Sequence, residues 1–253
     1  MLYRGDWKGD AFRRLAQAIP FKSVVDVGAN EGHTILELQR AGLGALPVHV
    51  FEPTPACAFY LTRLIAANEW KQVQLFPFAL AGIAGAVPLE LESENSSGAS
   101  IIPDLRPGRR MALRLKVAAL PLDQLVQQNL VSLERGLALM KIDVEGAELD
   151  VLAGARETLS TKRPIILCEV LWADGPTRLE FMRSRNRALM ELLHQAGYEV
   201  HQLILSKAQD RVLGLRALTD FPSGTYGPNN AHECDYIFLP REVASSVIPH
   251  LSG

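Results

Sequence analysis

Carboxylates recur in this chain where a fold would present them to a ligand. Asp143, Glu145 and Glu148 follow a short apolar run in Lys141-Ile-Asp-Val-Glu-Gly-Ala-Glu148, and Glu169 closes another in Pro164-Ile-Ile-Leu-Cys-Glu169. Acids at adjacent strand ends can take a proton from a hydroxyl, hold that hydroxyl on a reaction axis, or bind Mg²⁺, which prefers oxygen ligands. Asp143 and Glu145 are the candidates for base or acceptor-orienting group, with Glu169 beside them. Mg²⁺ is compatible with the three acids but is not predicted, and no metal ligands are assigned. Glu148 has a plainer reading, because an acid in a first helical turn is favoured by the helix dipole alone. Lys141 is expected to pair with a neighbouring acid.

A second group of residues binds. Ser23-Val-Val-Asp26-Val-Gly28-Ala29-Asn30-Glu-Gly32 reads as a buried β-branched strand, a glycine turn and the start of a helix. That arrangement brings bare backbone amides close to a ligand at a helix N-terminus. A dinucleotide fingerprint beginning at Gly28 needs glycines at positions 30 and 33, where this chain has Asn30 and His33. Asn tolerates a left-handed backbone, so the turn survives, but close approach of a pyrophosphate is lost. S-adenosylmethionine carries no phosphate, and Asp26 suits its cationic amino-acid end. Glu52, at the end of a second strand and before Pro53, is placed to accept from both ribose hydroxyls, a role NAD would share. The alternative for Asp26 and Glu52 is the capping of nearby amides.

His33 reads as a first-turn residue and His232 as a loop-surface residue before either reads as a base. Trp70 and Trp172 read as packing residues, Trp172 being the better placed to line an acceptor pocket.

Alternating strand and helix signals position these residues. A leading helix over 10–19 precedes the glycine-turn strand, and a helix from Glu31 to Arg40 follows it. Strands at 46–52 and 73–78 flank a helix over 55–69, which predicts a parallel, doubly wound sheet. Ala86–Leu91 and Leu113–Val117 alternate with period two, as half-exposed antiparallel strands do. Between them Ser93–Arg110 has turn chemistry and reads as a mobile loop. Then come a short helix (Asp123–Asn129), a strand (Ala138–Asp143), a helix (Ala147–Leu159), a strand (Pro164–Val170), and a helix (Arg187–Ala196). Two last strands are expected at Tyr198–Leu205 and Cys234–Leu239, and 172–185 reads as an insertion near the mouth of the site.

Composition narrows the classes. The chain has 253 residues, 48% of them hydrophobic and 21% charged, and a formal net charge of −2. This is ordinary for a globular protein and leaves no basic footprint for nucleic acid. The three cysteines are far apart with no zinc or redox spacing, so a reduced, cytoplasmic setting is expected. No run reaches the length of a membrane span.

Together these segments resemble the FkbM family of S-adenosylmethionine-dependent methyltransferases. The likeness is carried by Asp26–Gly32, Phe51-Glu-Pro53, Lys141–Glu148 with Leu152 and Gly154-Ala155, and Pro164–Glu169, within about residues 20–240. It implies an α/β, Rossmann-like methyltransferase fold with a seven-stranded, mostly parallel sheet, the last strand antiparallel, and helices on both faces. The two alternating strands would be an added β-hairpin. Residues 1–20 would be an N-terminal helical extension, 21–240 the methyltransferase domain and 241–253 a C-terminal tail.

The implied reaction moves a methyl group from S-adenosylmethionine, leaving S-adenosylhomocysteine, usually to a hydroxyl oxygen of a small molecule or carbohydrate. By position Asp26, Gly28, Asn30 and Gly32 would line the methionine end of the cofactor and Glu52 the ribose, with Ala29 and Pro53 beside them. Ala79 would lie near the adenine, and Asn95-Ser-Ser-Gly-Ala-Ser100 resembles the family's Ser/Gly loop. Segments 172–185 and 206–232 match no pattern and are the ones expected to select the acceptor. N-methylation is the runner-up, weakened because no Asn-Pro-Pro-Tyr-type element follows the fourth strand. Asn30 and His33 disfavour an oxidoreductase, and the clustered acids disfavour an idle cofactor-binding module. A homodimer is compatible with the outer helices but not required.

Overall fold

The strands in the middle of the sheet are buried along their whole length. The computed structural model describes residues 7–93, 98–106, 108–227, 230 and 233–252. The chain enters through helix α1 (Trp7–Ala18), then runs β1 (Ser23–Val27), α2 (His33–Arg40), β2 (Val48–Phe51), α3 (Pro55–Ala67) and β3 (Val73–Phe76). Three strands follow without helices: β4 (Ala79–Leu80), β5 (Gly85–Leu91) and β6 (Leu113–Leu120). Alternation resumes with α4 (Leu122–Gln127), β7 (Ala138–Ile142), the pair α5 (Glu148–Ala153) and α6 (Arg156–Thr161), and β8 (Ile165–Glu169). The chain ends with α7 (Leu179–Gln195), β9 (Tyr198–Leu205), β10 (Val212–Leu218), β11 (Asp235–Pro240) and α8 (Arg241–Leu251).

The main sheet has the order β10-β9-β11-β8-β7-β1-β2-β3. Strands β3, β2, β1, β7 and β8 run parallel, and β11 lies antiparallel between β8 and β9. Chain order reverses between β1 and β7, and in open α/β sheets the ligand crevice opens at such a point, beyond the strands' carboxyl ends. Every residue of β1, β2 and β7 is buried, the polar Ser23, Asp26, His49 and Lys141 included.

One face of the sheet packs on α1, α2, α3 and α8 through Phe12, Leu15, Ile35, Leu38, Leu61 and Val247. The other packs on α4 to α7 through Leu125, Leu152, Leu159 and Leu193. Each such leucine contributes about 2 kcal/mol on burial.

The sheet differs from expectation at its edge. It has eight strands among the described residues, because β10 joins β9 as an antiparallel edge strand. The register slips between Val212 and Gly214, so the alternation that marks a strand breaks at its start. The added hairpin is also larger than expected: β5 and β6 pair antiparallel, and β4 joins β6 to complete a separate three-stranded sheet.

Helix α7 starts at Leu179 instead of Arg187; the charged stretch Arg183–Arg187 hides a helix whose apolar anchor is Met182. The expected helix over 147–159 breaks at Gly154, where a Cβ would stand 2.2 Å from the Ala81 carbonyl oxygen. Residues expected as a tail carry α8, with Ala244, Val247 and Leu251 buried.

Candidate active site

The glycine turn is shaped by backbone crowding. Gly28, Asn30 and Gly32 have φ of 79°, 49° and 83°, a left-handed sequence open to glycine and tolerated by asparagine. Gly28 has a second constraint: a Cβ there would stand 1.9 Å from the Asp143 carbonyl oxygen. The turn is thus in direct contact with the end of β7. The amides of Gly28 and Ala29 both donate to the Phe51 carbonyl, at 2.9 and 3.2 Å, which joins the turn to the end of β2.

Glu52 sits at that end, 5% exposed. Its two oxygens accept from the Asn30 and Thr54 amides, each at 2.7 Å. Burial pushes its carboxyl above the ordinary range. Each oxygen keeps a second lone pair, so capping an amide and accepting from a ribose hydroxyl are compatible. Pro53 continues the chain to Thr54, which caps α3.

Asp26 lies behind the turn. It is fully buried, and its carboxylate is 3.3 Å from the Lys141 ammonium across the β1–β7 register. Lys141 in turn donates to the Gly28 carbonyl at 2.8 Å. Asp26 therefore bears on the turn through Lys141. Ala79 opens β4 and packs with Ala81 and Ala119.

The acids meet where β7, β8 and β11 come together. Ligand oxygens of Asp143, Glu145 and Glu169 all lie within 4.8 Å of one another, and Asp235 is the β11 partner of Glu169. Cations answer these charges. Asp143 Oδ2 is 3.3 Å from the Lys8 ammonium of α1 and 3.6 Å from that of Lys141. Arg106 pairs with Glu145 and also donates to the Gly98 carbonyl at 2.7 Å.

Burial alone would raise the Asp143 carboxyl, but Lys141 and Lys8 outweigh it and hold the group well below the usual range. Burial and the neighbouring charges of Asp143 and Asp235 push Glu169 well above it. The two shifts run in opposite directions, so Asp143 is the more readily ionised of the pair and Glu169 the one that binds a proton more readily. Glu148 is buried, accepts from the Gly146 amide at 2.8 Å, and is pushed up to about 7 by burial.

The rim is built from the segments that carried no pattern. Ser100 donates to the Glu145 carbonyl at 2.6 Å, Arg178 to the Pro103 carbonyl at 3.0 Å, and Arg109 pairs with Asp174 at 3.2 Å. Ile102 and Leu105 are buried against Ala147, Leu171 and Met182, so the described part of 93–110, expected as a mobile loop, is docked. Gly224 lies on the Trp172 ring, where a Cβ would stand 2.6 Å away, and the buried Trp172 indole N–H has no partner among the described residues. Asn95, Ser96, Ser97 and His232 lie outside the described residues.

Lys8 and Arg106 are the site residues sequence reading missed. Each meets its acid across a long sequence separation and carries no local motif. An apolar groove of about 520 Å³ on α3 and β3, bordered by Phe59, Ile65 and Leu75, is lined by no acid, base or thiol.

A profile of the methyltransferase FkbM domain matches residues 26–200. The methyltransferase sdnD of Sordaria araneosa is 28% identical over 158 residues, 53% of this chain and 60% of that protein. The chain thus spans about 60% of the length of that relative. The methyltransferase FkbM structure from Methylobacillus flagellatus superposes with a TM-score of 0.51 at 14% identity, covering 86% of this chain and 43% of that one. The chain belongs to the FkbM family of S-adenosylmethionine-dependent methyltransferases. The donor set fits that cofactor: the turn carries no cation to meet a phosphate, and Glu52 offers a held carboxylate for a diol.

Proposed function

We propose that the protein methylates a hydroxyl oxygen of a small molecule or sugar. The observation that carries this reading is Asp143, a carboxylate held ionised by two ammonium groups at the sheet's switch point and in backbone contact with Gly28. S-adenosylmethionine supplies an electrophilic methyl group on a sulfonium. Gly28, Ala29, Asn30 and Gly32 shape its methionine end, Glu52 and Pro53 its ribose side, and Ala79 the approach to its adenine. Asp26 acts from behind, through Lys141 and the Gly28 carbonyl.

In-line displacement demands that the acceptor oxygen be held on axis. Asp143 does this by accepting a hydrogen bond from the acceptor's hydroxyl, and as the O–CH3 bond forms and the S–CH3 bond breaks, the hydroxyl proton passes by way of this partly exposed carboxylate to solvent. Its depressed proton affinity makes it a weak base, so orientation is its larger contribution. Glu145, paired with Arg106, borders the same space, and Glu169, which binds a proton more readily than Asp143, stands beside that carboxylate. The Trp172 indole N–H, without a partner among the described residues, supplies a donor for a polar acceptor, as a sugar would use.

The test is methyl transfer from labelled S-adenosylmethionine to a panel of hydroxyl- and amine-bearing acceptors. Asp143→Asn should lower kcat about 100-fold with cofactor affinity within about twofold of wild type. Full turnover by that variant, or transfer confined to amines, would overturn the reading.

A further inference from the structure

Lys8 stands where a lysine is out of place. It lies in the first turn of α1, the end of a helix that repels cations. The compensating charges are not on α1 itself: Asp143, Asp235 and Glu169, from the ends of β7, β11 and β8, all act on its ammonium. Trp7, Lys8, Lys141, Asp143, Glu169 and Asp235 border one small cavity between α1 and these strand ends.

Helix α1 is held so that Lys8 reaches this point. Trp7, Ala11, Phe12 and Leu15 are buried, and Asp10 accepts from the Val212 amide of β10 at 3.0 Å. Arg14 braces the same Asp10 carboxylate at 3.0 Å. The delivering helix and the strand that anchors it both lie outside residues 26–200, the span of the family match.

The two ammoniums on Asp143 are not equivalent. Lys141 is 5% exposed and committed to Asp26 and the Gly28 carbonyl. The Lys8 side chain is 32% exposed and, among the described residues, pairs with Asp143.

We propose that Lys8 is a positioning residue of the active site, fixing the Asp143 carboxylate from a helix that lies outside the matched methyltransferase domain. The proposal rests on the reading of Asp143 as the acceptor-orienting group. Among the described residues the charged groups facing Asp143 are Lys8 from α1, Lys141 from β7, Glu145 from the following turn, Glu169 from β8 and Asp235 from β11. Removing Lys8 takes away one of its two close cations and leaves three acids, so Asp143 should bind a proton more readily.

The experiment follows the Asp143 carboxyl by ¹³C NMR in aspartate-labelled full-length protein, the resonance being assigned by its loss in Asp143→Asn. In Lys8→Met the titration midpoint should rise by about one pH unit or more, and Lys8→Arg should return it close to wild type. An unmoved midpoint in folded Lys8→Met, or failure of Lys8→Arg to restore it, would overturn the proposal. Should Lys8→Met not fold, the coupling is read in reverse. The Lys8 ¹³Cε titration should move to lower pH in Asp143→Asn, and an unchanged one would overturn it. Full methyl transfer by Asp143→Asn would instead overturn the role given to Asp143, a failure distinct from absence of the Lys8 coupling.

Discussion

At Glu52 two backbone amides already hold the carboxylate, so a ribose diol meets an acceptor that needs no reorganisation. Removing it leaves the Asn30 and Thr54 amides unpaired in a nearly closed site and deletes the diol contact. Glu52→Ala should therefore weaken S-adenosylhomocysteine binding by about 2 kcal/mol, some 30-fold, in calorimetric titration; unchanged affinity would remove Glu52 from the cofactor site. The residue itself was legible in the sequence, since a lone acid closing an apolar strand announces a strand-end function. Its bond to the turn was not, because the Asn30 amide reaches it only once β1 and β2 pair. Lys8 was illegible for a stronger reason: its partner lies 135 positions away, and no periodicity links them.

Among the elements, the turn that follows β7 stores its chemistry in a tight backbone. Glu145 has φ of 54° and Gly146 of 90°, and Glu148, one turn on, accepts from the Gly146 amide. Burial pushes Glu148 up to about 7, so between the ordinary carboxyl range and that value the folded protein holds a proton the unfolded chain has released. Stability from this group is fully present on the acid side and falls as pH rises through the window. Relative to Glu148→Gln, whose amide does not titrate, the wild-type Tm should drop by about 5 °C between pH 5 and 8. A parallel pH dependence in the two proteins would contradict that protonation. The strands flanking this turn were readable because they are apolar on both faces. β10 was not, because its bulge breaks the alternation, and the start of α7 was masked by its arginines.

For the whole molecule, Arg163 ties together elements far apart in sequence. Its guanidinium donates to the Ala196 carbonyl and, at 3.1 Å, to that of Gly197, both after α7. It also meets both oxygens of Glu242 in α8 at 2.7 Å and lies 4.9 Å from the Tyr198 ring centre. The Glu242 side chain is 48% exposed, so solvent discounts that half of the interaction. Loss of the Ala196 carbonyl's donor and of the packing on Tyr198 sets most of the cost, because the Gly197 carbonyl keeps the Arg241 amide at 3.1 Å. Arg163→Met should lower unfolding free energy by about 2–4 kcal/mol with an unchanged denaturant m value, and a loss below about 0.5 kcal/mol would show the clamp to be superficial.

The doubly wound architecture was legible at this scale from the order of strands and helices alone. The packing of α1 and α8 against each other was not, since it depends on contacts between the two ends of the chain. Among the described residues no helix is long and apolar enough to cross a membrane.

The central claim is that the turn from Asp26 to Gly32, joined to Glu52, is a site for an adenosyl group without phosphate. Calorimetric titration of the purified protein with S-adenosylmethionine, S-adenosylhomocysteine and NAD, each with and without Mg²⁺, addresses it directly. The account predicts one-to-one binding of both adenosyl ligands, independent of Mg²⁺, and no heat with NAD. Binding of NAD in place of the adenosyl ligands, or adenosyl binding that requires Mg²⁺, would contradict it.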